Sequence, residues 1–425
     1  MRFGVAKDLI TPDFATHMGG YGTYYGKYFT GIHDDLYVRA LLLDDGQQQI
    51  LLLSLDLLFH DRQLTEQVQA YANEQFGVAR EHVFVSYSHT HGGPAVRGYD
   101  DPSQHSEAYE RFLLQRIFSC INRTMVNRFE GTLHYGSVEG DWNINRRRPV
   151  EGRIENRPNP DGPKDDKLQL LQVRDLDGNV RIVLFNYACH PVTVRDTPVL
   201  SGDFPARICH LLEAECFGST AIFFQGAGGN SRPKNTAKGS QFVTCTFAEM
   251  DEMAVAMVQS IKRLLFQGKL TQVHPNLAAV QFEVSLQVDP FAKSDIAHMA
   301  GDPDVYPGIR RIAAELLERY DRTSDEARLA AGLIRLSEDT WIALLGGEPC
   351  FEVKEKLEAA LNVRQLLFIG YMDATAYIPD DKIIAEGGYE AAESALEYGL
   401  KGGFKQGIDD RLATSFLTHL AALKP

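Results

Sequence analysis

"LYVRALLLDDGQQQILLLSLDLL", residues 36–58, consists of two apolar runs that are separated by a polar turn at Asp45-Gly46. An Asp-Gly pair between two apolar runs is typical of a β-hairpin, so we predict two antiparallel strands here. The chain continues with helical spacing that ends in glycine over 62–77, and then with an apolar strand over 82–88. Strands that alternate with helices predict an α/β fold.

The alternation continues to the end of the chain. It predicts a mixed β-sheet flanked by helices, an α/β/α sandwich. We expect one domain over 1–425, with a small subdomain within 285–340 as the alternative. The segment 146–166 is rich in proline and charge, and we predict a loop there. Further strands are predicted over 180–191, from 219, and over 340–345 and 365–370, and further helices over about 106–129, 201–218, 241–266, 307–335, 352–360 and 407–422.

Composition excludes several classes of protein. The 425 residues are 44% hydrophobic and carry a net charge of −14, which argues against nucleic acid as a partner. A locally basic pocket for a small anion stays open, and the partner that we expect is a small-molecule substrate. The sequence has no apolar run of about 20 residues and no signal-like N-terminus, so we predict a cytoplasmic protein without a membrane span. The six cysteines form no C-x-x-C pair, and we predict free thiols. The oligomeric state is left open.

"YSHTHGGPA", residues 87–95, brings two histidines to the end of an apolar strand. His89 and His91 are two residues apart, and such residues share a face of a strand. His190 also follows an apolar strand and precedes a proline. Three imidazoles at one sheet edge indicate a metal site. The alternative is a set of hydrogen-bonded histidines at turns.

Other candidate ligands are weaker on spacing alone. Glu348 follows a strand and two glycines in "ALLGGEPC", residues 343–350. A solvated loop glutamate is the alternative. Spacing does not distinguish Tyr377 or Tyr389 from ordinary tyrosines.

These stretches together resemble the neutral/alkaline, non-lysosomal ceramidase family along most of the chain. Tyr377 and Tyr389 have the separation that the family shows, and the family's enzymes carry a C-terminal immunoglobulin-like domain, which we do not expect in this chain. The motifs that carry the resemblance are "GIHDDLYVRALLLDDG" (31–46), "SLDLL" (54–58), "SHTHGGPA" (88–95), "NINRRRP" (143–149), "NYACHP" (186–191), "SGDFPA" (201–206), "FFQGAGG" (223–229) and "GGE" (346–348).

The resemblance implies a zinc amidase that cleaves an N-acyl bond. It assigns Zn²⁺ to His89, His190, Glu348 and Tyr377. It surrounds the reacting amide with catalytic residues: His91 moves the proton, and Arg146 and Tyr389 stabilise the oxyanion. Zinc with nitrogen and oxygen ligands and an open position activates water. We also expect Asp56 and Asp203 to orient the imidazoles, unless Asp203 only caps a helix.

One segment departs from the family. Ceramidases read Q-G-N-A-G-D-V-S-P-N where this chain reads "QGAGGNSRPKN", residues 225–235. The family's functional serine then falls on Arg232, with Ser231 one position earlier. The resemblance makes Arg232, Ser231 and His33 the substrate-binding residues. A guanidinium there would bind an anionic group, because its planar fork matches a carboxylate or phosphate; the alternative is that Arg232 turns outward or pairs with a loop carboxylate.

We therefore predict a zinc-dependent hydrolase of the ceramidase-like superfamily that cleaves an amide bond of a polar, soluble substrate by metal-activated water. A true ceramidase acting on N-acylsphingosine is one alternative. The others are a hydrolase of esters or N-acyl amino sugars, and a non-catalytic binding protein that contains the metal.

Overall fold

The computed structural model describes residues 1–98, 102–267, 270–305 and 307–424. A π-helical turn, Tyr389–Glu393, lies in the last third of the chain. The α-helices are α1 Arg62–Phe76, α2 Glu107–Val126, α3 Asp203–Glu215, α4 Phe247–Phe266, α5 Lys293–Gly301, α6 Pro307–Arg319, α7 Phe351–Leu361, α8 Asp381–Glu386 and α9 Ile408–Leu423.

The strands belong to two main sheets and several short ladders. They are β1 Arg2–Leu9, β2 Gly31–Ile32, β3 Tyr37–Asp44, β4 Gln49–Leu55, β5 Val83–Tyr87, β6 Arg128–Glu139, β7 Asn143–Val150, β8 Arg153–Asn159, β9 Lys167–Asp175, β10 Val180–Tyr187, β11 Val199–Leu200, β12 Thr220–Gln225, β13 Ser231–Pro233, β14 Ala237–Lys238, β15 Gln241–Phe242, β16 Thr271–Val273, β17 Ala278–Pro290, β18 Glu326–Arg335, β19 Thr340–Leu345, β20 Glu348–Pro349, β21 Gln365–Ile369, β22 Tyr377–Ile378 and β23 Gly402–Phe404.

The first sheet has the strand order β12-β10-β9-β6-β1-β3-β4-β5, with β16 paired to β6. The second sheet has the order β21-β19-β18-β17-β23. Both sheets are mixed: most neighbours are antiparallel, but β4–β5, β10–β12 and β19–β21 are parallel. The helices α1, α3 and α7 connect these parallel pairs, because parallel strands need a long crossover.

The two sheets pack face to face between layers of helices. Leu41 and Leu43 of β3 share a hydrophobic core with Ile342 and Leu344 of β19. Leu42, on the opposite face of β3, packs with α1 and α2. The second sheet is covered on its other side by α7 and α9. Mixed sheets flanked by helices are therefore confirmed, and the structure adds that two sheets are stacked inside the sandwich.

Local sequence signals explain the elements that were predicted well. The β3–β4 hairpin turns at Gly46, which has a φ of 93°. Helix α1 begins after Asp61, whose carboxylate accepts a hydrogen bond from the amide of Leu64, and it ends at the left-handed Gly77. Asp and Gly at these positions are typical helix caps.

Two predicted segments were wrong. The helix predicted over 307–335 ends at Arg319, and 326–335 is strand β18, paired on both sides with β17 and β19. The alanines and leucines of this segment are compatible with a helix or a strand. Pairing with β17 and β19 therefore determines that it is a strand. The loop predicted over 146–166 is largely the β7–β8 hairpin.

Within the described residues, no helix is both long enough and apolar enough to cross a lipid bilayer.

Candidate metal centre

His89 and His91 lie on the loop that follows β5. Strand β5 ends at Tyr87, and His89 has a left-handed backbone with a φ of 65°. Nδ1 of His89 donates to the carbonyl of Leu58 (3.1 Å), and Nδ1 of His91 donates to the carbonyl of Gly20 (2.8 Å). The two Nε2 atoms are 3.1 Å apart. The imidazoles thus converge because the loop turns, and the predicted reason, a shared strand face, was wrong.

His190 reaches the same place from the loop after β10. Its Nδ1 donates to the carbonyl of Gly228 (2.6 Å). Burial and the nearby Arg146 lower the pKa of His190 to about 4. Burial and the other two imidazoles hold the pKa of His91 well below its usual value. Ligand atoms of His89, His91 and His190 all lie within 4.8 Å of one another.

Glu348 brings a carboxylate to these imidazoles. Its Oε2 lies 2.8 Å from Nε2 of His190 and 3.3 Å from Nε2 of His89. Its Oε1 accepts a hydrogen bond from the hydroxyl of Tyr398. Burial would raise the pKa of Glu348, but the two imidazoles outweigh burial and hold it well below its usual value. Within the described part of the chain, Oε2 accepts no hydrogen bond of normal geometry.

Tyr377 is held beside Glu348 by a short ladder. Strands β20 and β22 are parallel, with Glu348 opposite Tyr377. Gly347 makes the turn into β20 with a φ of 69°. The hydroxyl of Tyr377 donates to Nε2 of His190 (3.2 Å). Burial raises the pKa of Tyr377 well above its usual value.

Arg146 and Tyr389 form the opposite wall. Arg146 lies on β7, and its Nε donates to Glu390 (2.7 Å). Its guanidinium carbon is 5.1 Å from the ring centre of Tyr377 and 5.5 Å from that of Tyr389. The Tyr389 hydroxyl donates to Glu397 (2.9 Å). Nη2 of Arg146 is buried and has no hydrogen-bond partner among the described residues, so it can donate to a bound group.

The three residues predicted to bind substrate do not lie together in the structure. Arg232 lines the same cavity as the imidazoles. Ser231 precedes it on β13, and its hydroxyl donates to the carbonyl of Ala188 (3.0 Å). Neighbouring residues of a strand face opposite sides. His33 stacks on Phe247 at 3.7 Å and lines a different cavity.

The prediction that two carboxylates orient the imidazoles was wrong. Asp56 accepts hydrogen bonds from Arg39 (2.6 Å) and from the amide of Tyr37. Asp203 accepts from the hydroxyl of Thr193 (2.7 Å) and from the amide of Phe204. Asp203 follows the N-cap position of α3, which Gly202 occupies. Backbone carbonyls orient the imidazoles instead, and no sequence pattern encodes these contacts.

Sequence reasoning missed two residues of the site. Arg195 lines the cavity, five residues after His190. Glu390 is buried and accepts from both Arg146 and Arg147. A buried carboxylate next to Tyr389 could have been suspected from the arginine run "RRR" at 146–148, since buried charges are paired.

The candidate metal centre opens into one cavity of about 220 Å³. Leu58 and Val192 are the aliphatic side chains among the described lining residues, so the walls are mainly polar and charged. The sequence-predicted residues that line it are His89, His91, His190, Glu348, Tyr377, Arg146, Tyr389 and Arg232.

The donor set fits a metal cation. Carbonyl oxygens can only accept, so each imidazole that donates from Nδ1 has its lone pair on Nε2 when it is neutral. The Nε2 atoms of His89 and His190 lie 3.3 Å and 2.8 Å from Oε2 of Glu348, and this ionised oxygen accepts no hydrogen bond among the described residues. Lone pairs and a carboxylate at this distance repel unless a cation lies between them. Nitrogen and oxygen donors in this number suit zinc.

The fold and the cavity define an α/β protein with a candidate metal centre at the carboxyl ends of its parallel strands. The family model of the neutral/alkaline non-lysosomal ceramidases, N-terminal part, matches residues 2–255, and the chain belongs to this family. The crystal structure of neutral ceramidase from Pseudomonas aeruginosa is similar over 99% of this chain and 74% of that one, with a TM-score of 0.75 and 18% identity. A ceramidase complexed with C2 gives the same coverage and identity with a TM-score of 0.74. At this identity the structures support the fold.

Proposed function

We propose that the chain is a zinc-dependent hydrolase that cleaves an amide (N-acyl) bond of a polar substrate. The observation that carries this proposal is the convergence of three imidazole Nε2 atoms and Glu348 Oε2 in a cavity that also contains Arg146 and Tyr389. Membership of the ceramidase family supports hydrolysis of an amide.

Each side chain would have a distinct part. His89, His190, Glu348 and Tyr377 would hold the ion. When bound, zinc with an open coordination position activates water and polarises a carbonyl. His91 is the remaining imidazole, and the Gly20 carbonyl fixes its Nδ1. Its Nε2 would take a proton from the attacking water and deliver it to the leaving nitrogen.

Charge that develops on the carbonyl oxygen would be stabilised from the opposite wall. Nη2 of Arg146 is an unused buried donor. The Tyr389 hydroxyl lies on the same side and would turn its proton from Glu397 to the substrate. Preorganised donors of this kind are worth about 10²–10³ in rate. The carboxylate of Glu390 forms ion pairs with both Arg146 and Arg147. It would therefore fix the position of Arg146.

A second candidate is ceramide hydrolysis, which family membership and fold favour. The polar cavity weighs against it. A volume of about 220 Å³ is below the range of about 300–1,000 Å³ that is usual for drug-sized ligands. Small N-acyl compounds suit such a cavity better than a molecule with two long chains. Esters and N-acyl amino sugars remain alternatives within the same chemistry.

The test combines metal analysis with a substrate panel. We expect about one zinc per purified chain, and turnover of small amides that a chelator abolishes and added zinc restores. The panel includes matched esters, N-acyl amino sugars and ceramide, and His89→Ala is the matched variant without metal. A protein that retains zinc and hydrolyses none of these would be a binding protein and would overturn the proposal.

A further inference from the structure

Two arginines of the cavity have no carboxylate partner among the described residues. Arg232 is 6% exposed, and its guanidinium carbon lies 4.4 Å from the ring centre of Phe242. Arg195 lies over the ring of Tyr21 at 5.1 Å. The Nε atoms of both arginines, and the Tyr21 hydroxyl, are buried without a hydrogen-bond partner in the described part of the chain. Arg232 is buried and Arg195 is half-buried, and guanidinium groups that are withdrawn from water are normally paired.

The carboxylates nearby are already engaged. Asp203 accepts from the amides of Thr193, Val194 and Phe204 and from the Thr193 hydroxyl. Glu390 is shared by Arg146 and Arg147. Asp196, next to Arg195, accepts from the hydroxyl of Thr23 (2.6 Å). Glu348 faces the imidazoles.

The positive charges of Arg195, Arg232 and Arg146 also repel one another. Burial, and then the charge of Arg195, lower the pKa of Arg232 to about 10. Arg146 acts in the same direction. A protein with a net charge of −14 thus keeps unneutralised cations inside one cavity. Such an arrangement costs stability, and it is typical of a site that is completed by a ligand.

We propose that Arg195 and Arg232 form a subsite for an acidic group of the substrate. The substrate then carries a carboxylate or phosphate group near the bond that is hydrolysed. This inference rests on the proposed function and specifies its substrate class. Both arginines line the same cavity as His89, His91 and His190. The planar fork of a guanidinium matches either acid group in two-point contact. Ceramide is uncharged and would leave both arginines unpaired.

The first experiment measures anion binding without turnover. The full-length protein, as purified, is titrated with inorganic phosphate and, separately, with acetate. The anion that binds more tightly shows whether the subsite prefers a phosphate or a carboxylate. We expect Arg195→Gln and Arg232→Gln each to weaken binding about 10-fold or more, as for the loss of a charged hydrogen bond. Arg364→Gln removes an exposed arginine that pairs with Asp339, and it should bind like the wild type. Binding of both anions that is unchanged in the double variant, or absent from the wild type, would overturn the subsite.

The second experiment separates the subsite from the proposed chemistry. Kinetics are compared for an N-acyl amino acid, its phosphate-bearing counterpart and its uncharged carboxamide, with zinc content measured for every variant. We expect Arg232→Gln to raise KM about 10-fold or more for the anionic substrate alone, with zinc retained. Arginine-dependent anion binding without any turnover would keep the subsite and reject the hydrolase. Turnover that prefers the uncharged substrate in wild type and variants alike would keep the hydrolase and reject the subsite.

A structural role predicts a different change in stability. If Arg232 only supported the fold, Arg232→Gln would lower the melting temperature in the absence of anion. Because its charge is unneutralised, we expect the melting temperature to stay equal or rise, and the stabilisation by added phosphate or acetate to disappear. A lowered melting temperature with unchanged stabilisation by anion would contradict the proposal.

Discussion

Backbone strain at single residues coincides with the candidate metal centre. Two of the six non-glycine residues with a positive φ in the described part of the chain lie there: His89 at 65° and Tyr371 at 60°. Tyr371 packs against His89, with ring centres 4.7 Å apart. Such conformations cost roughly 1–3 kcal/mol each and persist where the surrounding structure enforces them. The strain at His89 and Tyr371 supports a functional role for this loop.

The first prediction distinguishes His91 from His89. If His91 carries a proton and does not hold the ion, His91→Ala should keep the zinc and lose about 10²–10⁴ in kcat. His89→Ala and His190→Ala should lose most of the zinc. Metal analysis and single-turnover rates of the three variants measure both effects. Because the three imidazoles lie within 4.8 Å, the competing arrangement has His91 as a third ligand, and loss of zinc from His91→Ala would favour it.

The second prediction concerns His60, which lies outside the cavity. Its ring is 3% exposed and contacts Asp61 (3.0 Å) and Glu110 (2.7 Å). Burial would lower the pKa of His60, but these carboxylates raise it from 6.5 to about 9. A raised pKa in the folded state means that the stabilisation is fully present below about pH 6.5 and is lost as the pH rises through about 9. We expect about 3 kcal/mol to be lost across this window.

Urea unfolding between pH 6 and 10 measures this loss, with His60→Gln as the matched variant. The variant should be less stable than the wild type near pH 6 and similar to it near pH 10. Equal pH dependence in both proteins would assign the effect to other groups.

At the scale of elements, helices and hairpins were predicted correctly where the residues of the element itself determine its structure. The β3–β4 hairpin was predicted because Gly46 marks its turn, and α1 was predicted because its helical spacing ends at Gly77. Strand β18 was predicted as helix because its identity depends on pairing with β17 and β19. The β7–β8 hairpin was predicted as a loop, since its prolines and charges hide its pairing.

The candidate site was predictable to the extent that its residues follow strands. His89, His190 and Glu348 come after β5, β10 and β19, and carboxyl ends of parallel strands are where sites form in α/β folds. Arg195 and Tyr398 come from loops and turns whose position is fixed by the assembled fold. Their contacts with the cavity therefore have no local signature.

The third prediction tests the turn that presents Glu348. A Cβ on Gly347 would lie 2.4 Å from the carbonyl oxygen of Ala376, where β20 meets β22, so Gly347→Ala must displace this ladder. We expect it to weaken zinc binding about 10–100-fold, as is usual for residues that support metal ligands. Metal titration measures the affinity.

Gly178→Ala is the matched control. Gly178 has a φ of 85°, and a Cβ there would meet no described atom within 4 Å. Both variants carry the cost of a left-handed alanine, roughly 1–2 kcal/mol, but only Gly347→Ala should lose zinc. Equal zinc affinity in the two variants would show that the β20–β22 ladder does not position Glu348.

At the scale of the whole molecule, the candidate ligands come from both sheets. His89 and His190 follow strands of the first sheet, whereas Glu348 and Tyr377 lie next to strands of the second. The sheets also share a core that includes Phe84, Ile342 and Leu367. Hydrogen bonds cross between them, for example from Asn186 to the carbonyl of Phe368 (3.0 Å). We propose that residues 1–425 form one domain for this reason, with α5 and α6 as a small appendage.

The last prediction follows from this shared position. An ion held by both sheets stabilises their assembly, because it binds the folded state and not the unfolded chain. At a free concentration of about 1,000 Kd the gain is about 4 kcal/mol. Chelation should therefore lower the free energy of unfolding by a similar amount and reduce hydrogen-exchange protection in β10 and β19 together. His89→Ala should not respond to chelator, and added zinc should restore the wild type. Loss of protection in one sheet alone would show that the ion does not join the two sheets.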